Sequence, residues 1–405
     1  MKGKTLRVPY ARAVYGKEEI AAVHEVLRDP EKIVAGARVR AFEAKIAALF
    51  GKRHGVMVNS GSSANLLALR LLNLPRGSEV ITPVLTFSTT VAPIVELGLV
   101  PVFADVAGAS YQIDVAQIPS LIAKRTRALM IPSLIGNLPD FAALRRLAKQ
   151  HGLFFVEDSC DTLSGRFAGK PTGVYSDIST TSFYASHILT AAGGGGMLCV
   201  NNRALADRAR VMANWGRTST LFGSHEASEA LAKRMAGRLD GRPYDAKFIF
   251  SELGYNLQAT ELQGAFGLAQ LARLKTFAAL RRRAFQTLYD FFRRYERLFV
   301  LPKEDPRAET AWLAFPLAVR EGAGFSREEL TKYLEKRNIQ TRPIFSGNIL
   351  KQPGFRRISA RVRAAGYPEA ERIMRNGFLI GAHQGLREAH LGHVTGCFTE
   401  FLRRH

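Results

Sequence analysis

The chain has 405 residues, 47% of them hydrophobic and 9% aromatic, which suffices for a large packed core in two or three domains of ~150 residues each. No run reaches the ~20 apolar residues of a membrane span, the basic start lacks the apolar stretch of a secretory leader, and three widely spaced cysteines (Cys160, Cys199, Cys397) give neither a disulfide framework nor a zinc pattern; a cytoplasmic protein with no membrane partner and no metal is expected. The charge, 57 Lys and Arg against 35 Asp and Glu for a net +22, attracts polyanions, but the basic residues (Arg38, Arg40, Arg145, Arg146, Arg281 to Arg283, Arg293, Arg294) are scattered and build no nucleic-acid motif, so nucleic acid is not expected as a partner.

In chain order, Gly16-Lys-Glu-Glu-Ile opens a helical segment to about Leu27. A second helix runs from about Arg38 to Phe50, with Val39, Phe42, Ile46 and Phe50 at helical spacing. A short strand, Gly55-Val-Met-Val, leads into Asn59-Ser60-Gly61-Ser62-Ser63-Ala64-Asn65 and an apolar helix to Leu74. Such a turn into a helix N-terminus makes an anion site, because free N–H groups and the helix dipole both favour phosphate. An ordinary capped helix would show the same residues. Short apolar strands recur at Glu79–Thr82, Val100–Phe103, Ala128–Pro132, Leu153–Val156, Ser179–Phe183 and Met197–Val200, separated by helical or turn-rich segments such as Phe141–His151. That alternation predicts a mainly parallel sheet covered on both faces, with ligands beyond the carboxyl ends of its strands.

From about Ala259 the pattern changes to long helices. Leu262, Phe266 and Ala269 share a face, and Phe285, Leu288, Phe292, Tyr295 and Phe299 form an apolar stripe that reads as core packing. After Pro302 a mixed α/β pattern returns in Ala311–Val319, the helix Ser326–Lys336 and the strand-like Ile339–Pro343. The expected organisation is a large α/β domain over residues 1–280 and a smaller C-terminal α/β domain over 281–405.

The stretch Ser182-Phe183-Tyr184-Ala185-Ser186-His187, followed by the run Gly193 to Gly196, suits a site where a bound group approaches the backbone closely. It resembles the cofactor motif of the DegT/DnrJ/EryC1/StrS sugar aminotransferases, S-F-[YH]-x-x-K before a Gly-rich turn, in which the lysine forms a Schiff base with pyridoxal phosphate. Here that position is His187, and no lysine lies between Lys170 and Lys233. The same replacement marks the family's nucleotide-sugar 3-dehydratase branch. The similarity extends from Gly16-Lys-Glu-Glu-Ile to His383-Gln384-Gly385-Leu386. It is strongest at Asn59 to Asn65, Glu157 to Asp161, Asn214-Trp215-Gly216-Arg217, Gly254 to Gln263, and Thr341-Arg-Pro-Ile-Phe-Ser-Gly-Asn348 with Gln352-Pro353.

The resemblance implies a type I aminotransferase-like fold and a set of roles. Asp158 pairs with the pyridine nitrogen of the cofactor, with Glu157 pointing the other way as its strand neighbour; read without the resemblance, Asp158 is a strand-end cap. Asp161 matches a contact on the ring's hydroxyl side. Phe87 matches the aromatic residue stacked on the ring, its alternative being one core phenylalanine among 25. Gly61, Ser62, Ser63 and Ser182 match the phosphate site, and Asn256 matches an asparagine reaching the phosphate in the neighbouring subunit of a homodimer. Arg342, Phe345 and Asn348 match residues lining the sugar site. His187 carries protons, since an imidazole titrates near neutrality but forms no stable imine.

The cofactor implied is pyridoxamine or pyridoxal 5'-phosphate held without a covalent bond. The reaction implied is loss of the C3 hydroxyl from a nucleotide-linked 4-keto-6-deoxy sugar, a step toward a surface polysaccharide, completed by glutamate or a separate reductase. Two departures stand out. Gly194 occupies a place that is acidic in the family. The 3-dehydratases acting on CDP-sugars hold an iron–sulfur cluster with cysteines where this chain has Thr218, Ser219 and a Ser/His/Glu loop, and four thiolates cannot come from three cysteines, so no cluster is expected. The competing readings are an ordinary sugar aminotransferase and a non-catalytic binding protein on the same fold.

Overall fold

Seven strands form the principal sheet of the computed structural model, which describes residues 6–223 and 229–405. They are β1 (His54–Val58), β2 (Glu79–Pro83), β3 (Val100–Ala104), β4 (Thr126–Pro132), β5 (Phe154–Asp158), β6 (Ile178–Ser182) and β7 (Gly196–Val200), in the spatial order β1-β7-β6-β5-β4-β2-β3. Every pairing from β6 to β3 is parallel, and β7 alone runs against its two neighbours. Both faces are buried: β4 gives Ala128 and Met130 to one apolar layer and Leu129 and Ile131 to the other, as a sheet covered on two sides requires.

The strands and the site positions meet at one edge. Gly61, Phe87, Asp158 and Ser182 all lie at or just beyond the carboxyl ends of β1, β2, β5 and β6, where ligands bind in open α/β sheets. The two-residue period of β5 separates Glu157 from Asp158. Glu157 is fully buried on one face, accepting hydroxyl bonds from Ser159 (2.7 Å), Ser176 (3.2 Å) and Ser179 (2.8 Å). Asp158 turns to the opposite face, toward the helices Gly61–Leu71 and Ser88–Glu96.

A second, antiparallel sheet takes strands Phe299–Val300, Ala314–Val319, Gly377–Gly381 and Thr341–Pro343 in that order. The helix Leu274–Phe292 runs through position 280 and packs on this sheet through Leu288 and Phe292. The apolar stripe expected over 285–299 divides there. The helix ends at Phe292, a short 3-10 turn covers Arg293–Tyr295, and Phe299 enters the core as a strand residue paired with Val319. Spacing alone did not mark that stop, because Phe299 is buried in either conformation. No helix among the described residues is long and apolar enough to cross a membrane.

Candidate active site

The helix Gly61–Leu71 begins one short turn after β1 and is capped by Ser60, whose hydroxyl accepts the Ser63 amide at 3.1 Å. The Ser63 hydroxyl donates to Asn59 Oδ1 at 2.6 Å, so this serine is engaged within the turn. The amides of Gly61 and Ser62 precede the helix's own ladder and point outward with its positive dipole end. Gly61 has a steric reason to be glycine. A Cβ there would sit 2.6 Å from Ser182 Cβ and 2.7 Å from Cys160 Sγ. The first helical turn thus lies directly against the end of β6, and the Ser182 hydroxyl, which accepts the Tyr184 amide at 3.3 Å, keeps its proton free to donate.

One turn into the same helix, Asn65 donates to Asp158 Oδ2 at 2.8 Å, and Thr90 donates to the same oxygen at 2.8 Å. Oδ1 accepts the Cys160 amide at 3.2 Å, and the Cys160 thiol also bonds the carboxylate. Asp158 is therefore more than a strand-end cap: its carboxylate is fixed by two helices. Phe87 sits at the N-cap of Ser88–Glu96, one turn from Thr90, and is 52% exposed. The core alternative for Phe87 does not hold; the ring stands open and meets Phe345 edge-on at 6.0 Å.

His187 lies in the loop between β6 and the glycine run. Its Nδ1 is 3.3 Å from the Ser182 carbonyl, which can only accept, so Nδ1 carries the proton and Nε2 is the free nitrogen. Nε2 faces Asp161 Oδ1 at 4.0 Å. Burial pushes the imidazole down to about 4, with the nearby Arg281 cation acting the same way and the Ser182 carbonyl opposing. Asp161 moves up to about 7, chiefly through burial and through the neighbouring Asp158 charge, although the Ile135 amide bonded to its Oδ2 at 2.9 Å favours the anion. At neutral pH the ring is thus an uncharged base beside a carboxyl raised well above the usual carboxylate range.

The glycine run has a different neighbour from the one its composition suggested. Gly195 donates to the Asn59 carbonyl at 3.0 Å and accepts from the Phe183 amide at 2.9 Å, with φ +118°. The missing side chains admit the Asn59–Gly61 backbone and tie the His187 loop to the phosphate-type turn. Gly194 has room: a Cβ there would make ordinary contacts with Asn59 and Gln263.

The sugar-side candidates separate. Phe345, in a left-handed conformation (φ +45°), joins Phe87, and Ser346 donates to the Thr86 carbonyl at 2.6 Å. Arg342 is exposed, with its guanidinium 5.7 Å from the Tyr10 ring centre. Asn348 is 3% exposed, its Oδ1 capping Leu350 and its Nδ2 facing Glu371 at 3.4 Å, so its carboxamide is engaged within the protein. Asn256 is exposed and pairs through its backbone with Asn214, which joins the Gly254 segment to Trp215 and Arg217, whose guanidinium lies 4.6 Å over the tryptophan. A cavity of about 790 Å³ opens beside that pair and is lined by Arg40, Arg53, Trp215 and Arg217, but by none of Asp158, Asp161 or His187. Thr218 and Ser219 form part of a 3-10 turn, and the Ser/His/Glu loop after them lies outside the described residues. Tyr10, which the sequence does not single out, and Arg281, which it shows only among scattered basic residues, flank Asp161 and His187 electrostatically.

A phosphate-type helix terminus, a fixed strand-end carboxylate and an open aromatic ring, gathered beyond the carboxyl ends of β1, β5 and β2, fit an enzyme scaffold of the pyridoxal-phosphate class. The fit is steric as well as chemical: the cradle at Gly61 would be filled by a Cβ, and Asp158 offers a fixed carboxylate. The chain belongs to the DegT/DnrJ/EryC1/StrS aminotransferase family, whose model matches residues 14–399. It is 36% identical over 385 residues to the dTDP-4-dehydro-2,6-dideoxy-D-glucose 3-dehydratase of Saccharopolyspora spinosa, covering 92% of this chain and 82% of that one. It is 35% identical over 405 residues to the lipopolysaccharide biosynthesis protein RfbH of Salmonella typhimurium, covering 98% and 92%. Among solved structures, the Escherichia coli GDP-4-keto-6-deoxy-D-mannose-3-dehydratase with bound hydrated pyridoxal phosphate superposes with a TM-score of 0.86 at 25% identity, covering 97% of this chain and 100% of that one.

Proposed function

We propose that this chain is a nucleotide-sugar 3-dehydratase that removes the C3 hydroxyl of a nucleotide-linked 4-keto-6-deoxyhexose in surface-polysaccharide synthesis. The observation that carries the reading is the imidazole at position 187, which the resemblance sets in place of the family's lysine, with Nδ1 on the Ser182 carbonyl and Nε2 facing Asp161.

In this reading each residue of the site has a role. The Gly61 and Ser62 amides and the Ser182 hydroxyl hold the cofactor phosphate. Asp158 keeps the ring nitrogen protonated, Phe87 covers the ring and Asp161 meets its hydroxyl side. When bound as pyridoxamine phosphate, the cofactor supplies an amine for the sugar carbonyl and an electron sink. His187 Nε2 takes the proton that must move and returns one to the departing hydroxyl. Phe345 and Arg342 border the sugar and its diphosphate, while Asn348 shapes the loop that presents them. Asn256 reaches the phosphate of a second subunit across a homodimer. The two electrons that enter the sugar come from glutamate, oxidised to its 2-oxo acid with release of ammonia, or from a separate reductase. The two-domain division near residue 280 belongs to the same proposal, the cleft lying between the two sheets.

Borohydride reduction of the protein saturated with pyridoxal phosphate tests the reading. The expected mass spectrum shows no stoichiometric pyridoxyl group on any lysine of the chain. A stoichiometric adduct on one lysine would mean that an amine serves as tether and that the dehydratase reading is wrong.

A further inference from the structure

Arg281 stands in the middle of the helix Leu274–Phe292 and is 0% exposed. Withdrawing a guanidinium from water costs several kcal/mol, and a well-packed apolar side chain in its place is often as stable or more so. No carboxylate appears among its hydrogen-bond partners in the described residues. Nη1 donates to the carbonyls of Trp312 (3.3 Å) and Leu313 (2.9 Å), Nη2 donates to the carbonyl of His187 (3.2 Å), and Nε is buried without a partner among the described residues. Burial draws its pKa down to about 9, which leaves it a cation at neutral pH. The carbonyl after His187, that of Ile188, accepts from Gln384 at 3.2 Å. The loop is thus gripped at two successive carbonyls by side chains from the C-terminal half of the chain.

We propose that Arg281 is a positioning residue: it fixes the main chain under His187, which no covalent bond to a cofactor anchors, and so holds the imidazole in place. The inference rests on the reading of His187 as the proton carrier. Around the ring stand the Asp161 carboxyl at 4.0 Å, the Tyr184 ring at 6.0 Å between centroids, the Ser182 carbonyl and the Arg281 guanidinium. Burial raises the Asp161 carboxyl to about 7 and so weakens its hold on an imidazolium. Tyr10 and His383 flank Arg281 and are both uncharged at neutral pH, the phenol because burial raises it and the imidazole because burial lowers it to about 3.

The test is the titration of His187 in the cofactor-free protein, followed by NMR of nitrogen-labelled histidines and assigned by comparison with His187→Asn, together with kcat and KM of the loaded enzyme. In Arg281→Met kcat should fall ~10²-fold with KM changed by less than ~3-fold, and the His187 midpoint should shift upward as the loosened ring gains solvent. Arg281→Lys restores the charge but replaces the fork by a single point donor, so the midpoint should stay near the wild-type value while kcat falls at least ~10-fold. Wild-type kcat in a folded Arg281→Met protein would overturn the proposal. If that variant does not fold, Arg281→Lys decides: wild-type kcat overturns the proposal, and a fall with the midpoint unmoved upholds it. Failure of the underlying reading looks different. His187→Asn turning over at the wild-type rate would remove His187 from the chemistry, and with it the catalytic purpose of Arg281, whatever the midpoint does.

Discussion

Asp158→Asn is expected to lower turnover by roughly a hundredfold or more, equivalent to ~3 kcal/mol of transition-state stabilisation. Oδ2 accepts from both Asn65 and Thr90, so an asparagine must keep its oxygen there and turn its NH2 toward the Cys160 amide and the cleft. That places donor against donor on the Cys160 side. It also leaves a neutral donor where a protonated ring nitrogen needs a charged acceptor. Glu157→Gln provides the contrast. The three serine hydroxyls around Glu157 can each rotate between donor and acceptor roles. Its cost should therefore fall on stability, ~1 kcal/mol read as a lower Tm, with kcat within ~3-fold of wild type. Equal losses of turnover in the two variants would break the assignment of Asp158 to the ring nitrogen.

His187→Lys should reverse the character of the site. The new amine would occupy a largely buried position beside Asp161; burial depresses an ammonium pKa, so a reactive fraction is free at neutral pH. The variant should take up pyridoxal phosphate covalently, show a visible absorbance band and yield a borohydride-stable pyridoxyl peptide spanning position 187. The tether competes with the substrate's demand for the free amine form of the cofactor, and dehydration should fall ~10²-fold or more. Normal dehydration with no covalent uptake would place His187 outside the reaction centre.

Much of this arrangement is readable in the sequence for definite physical reasons. The apolar strands are short, continuous and bounded by turns, so β1 to β7 stand out within a residue or two. The two-residue period alone sends Glu157 and Asp158 to opposite faces. Other features leave no such trace. The helix Ser88–Glu96 is hidden by Thr89, Thr90, Val91 and Pro93, poor helix formers that are held helical by the burial of Val91 and Ile94. The exposure of Phe87 depends on where a loop ends, which composition does not encode. The engagement of Asn348 with Leu350 and Glu371 depends on contacts made only after folding. Arg281 is a different case. Among Arg281 to Arg283 it alone falls on the helical stripe of Phe277, Ala278, Ala284 and Leu288, so the spacing marks it as buried. Reading the three arginines together as surface charge concealed that signal.

The central claim is that this cleft removes an oxygen from a sugar and does not add an amine. The direct measurement is the mass of the sugar after incubation of the purified protein with pyridoxal phosphate, glutamate and a nucleotide-linked 4-keto-6-deoxyhexose. The expected product is a sugar that has lost one oxygen and gained no nitrogen, with one 2-oxo acid and one ammonia released per turnover. A sugar that keeps its C3 hydroxyl and carries an amino group in place of the C4 carbonyl would contradict it and make the protein an ordinary aminotransferase.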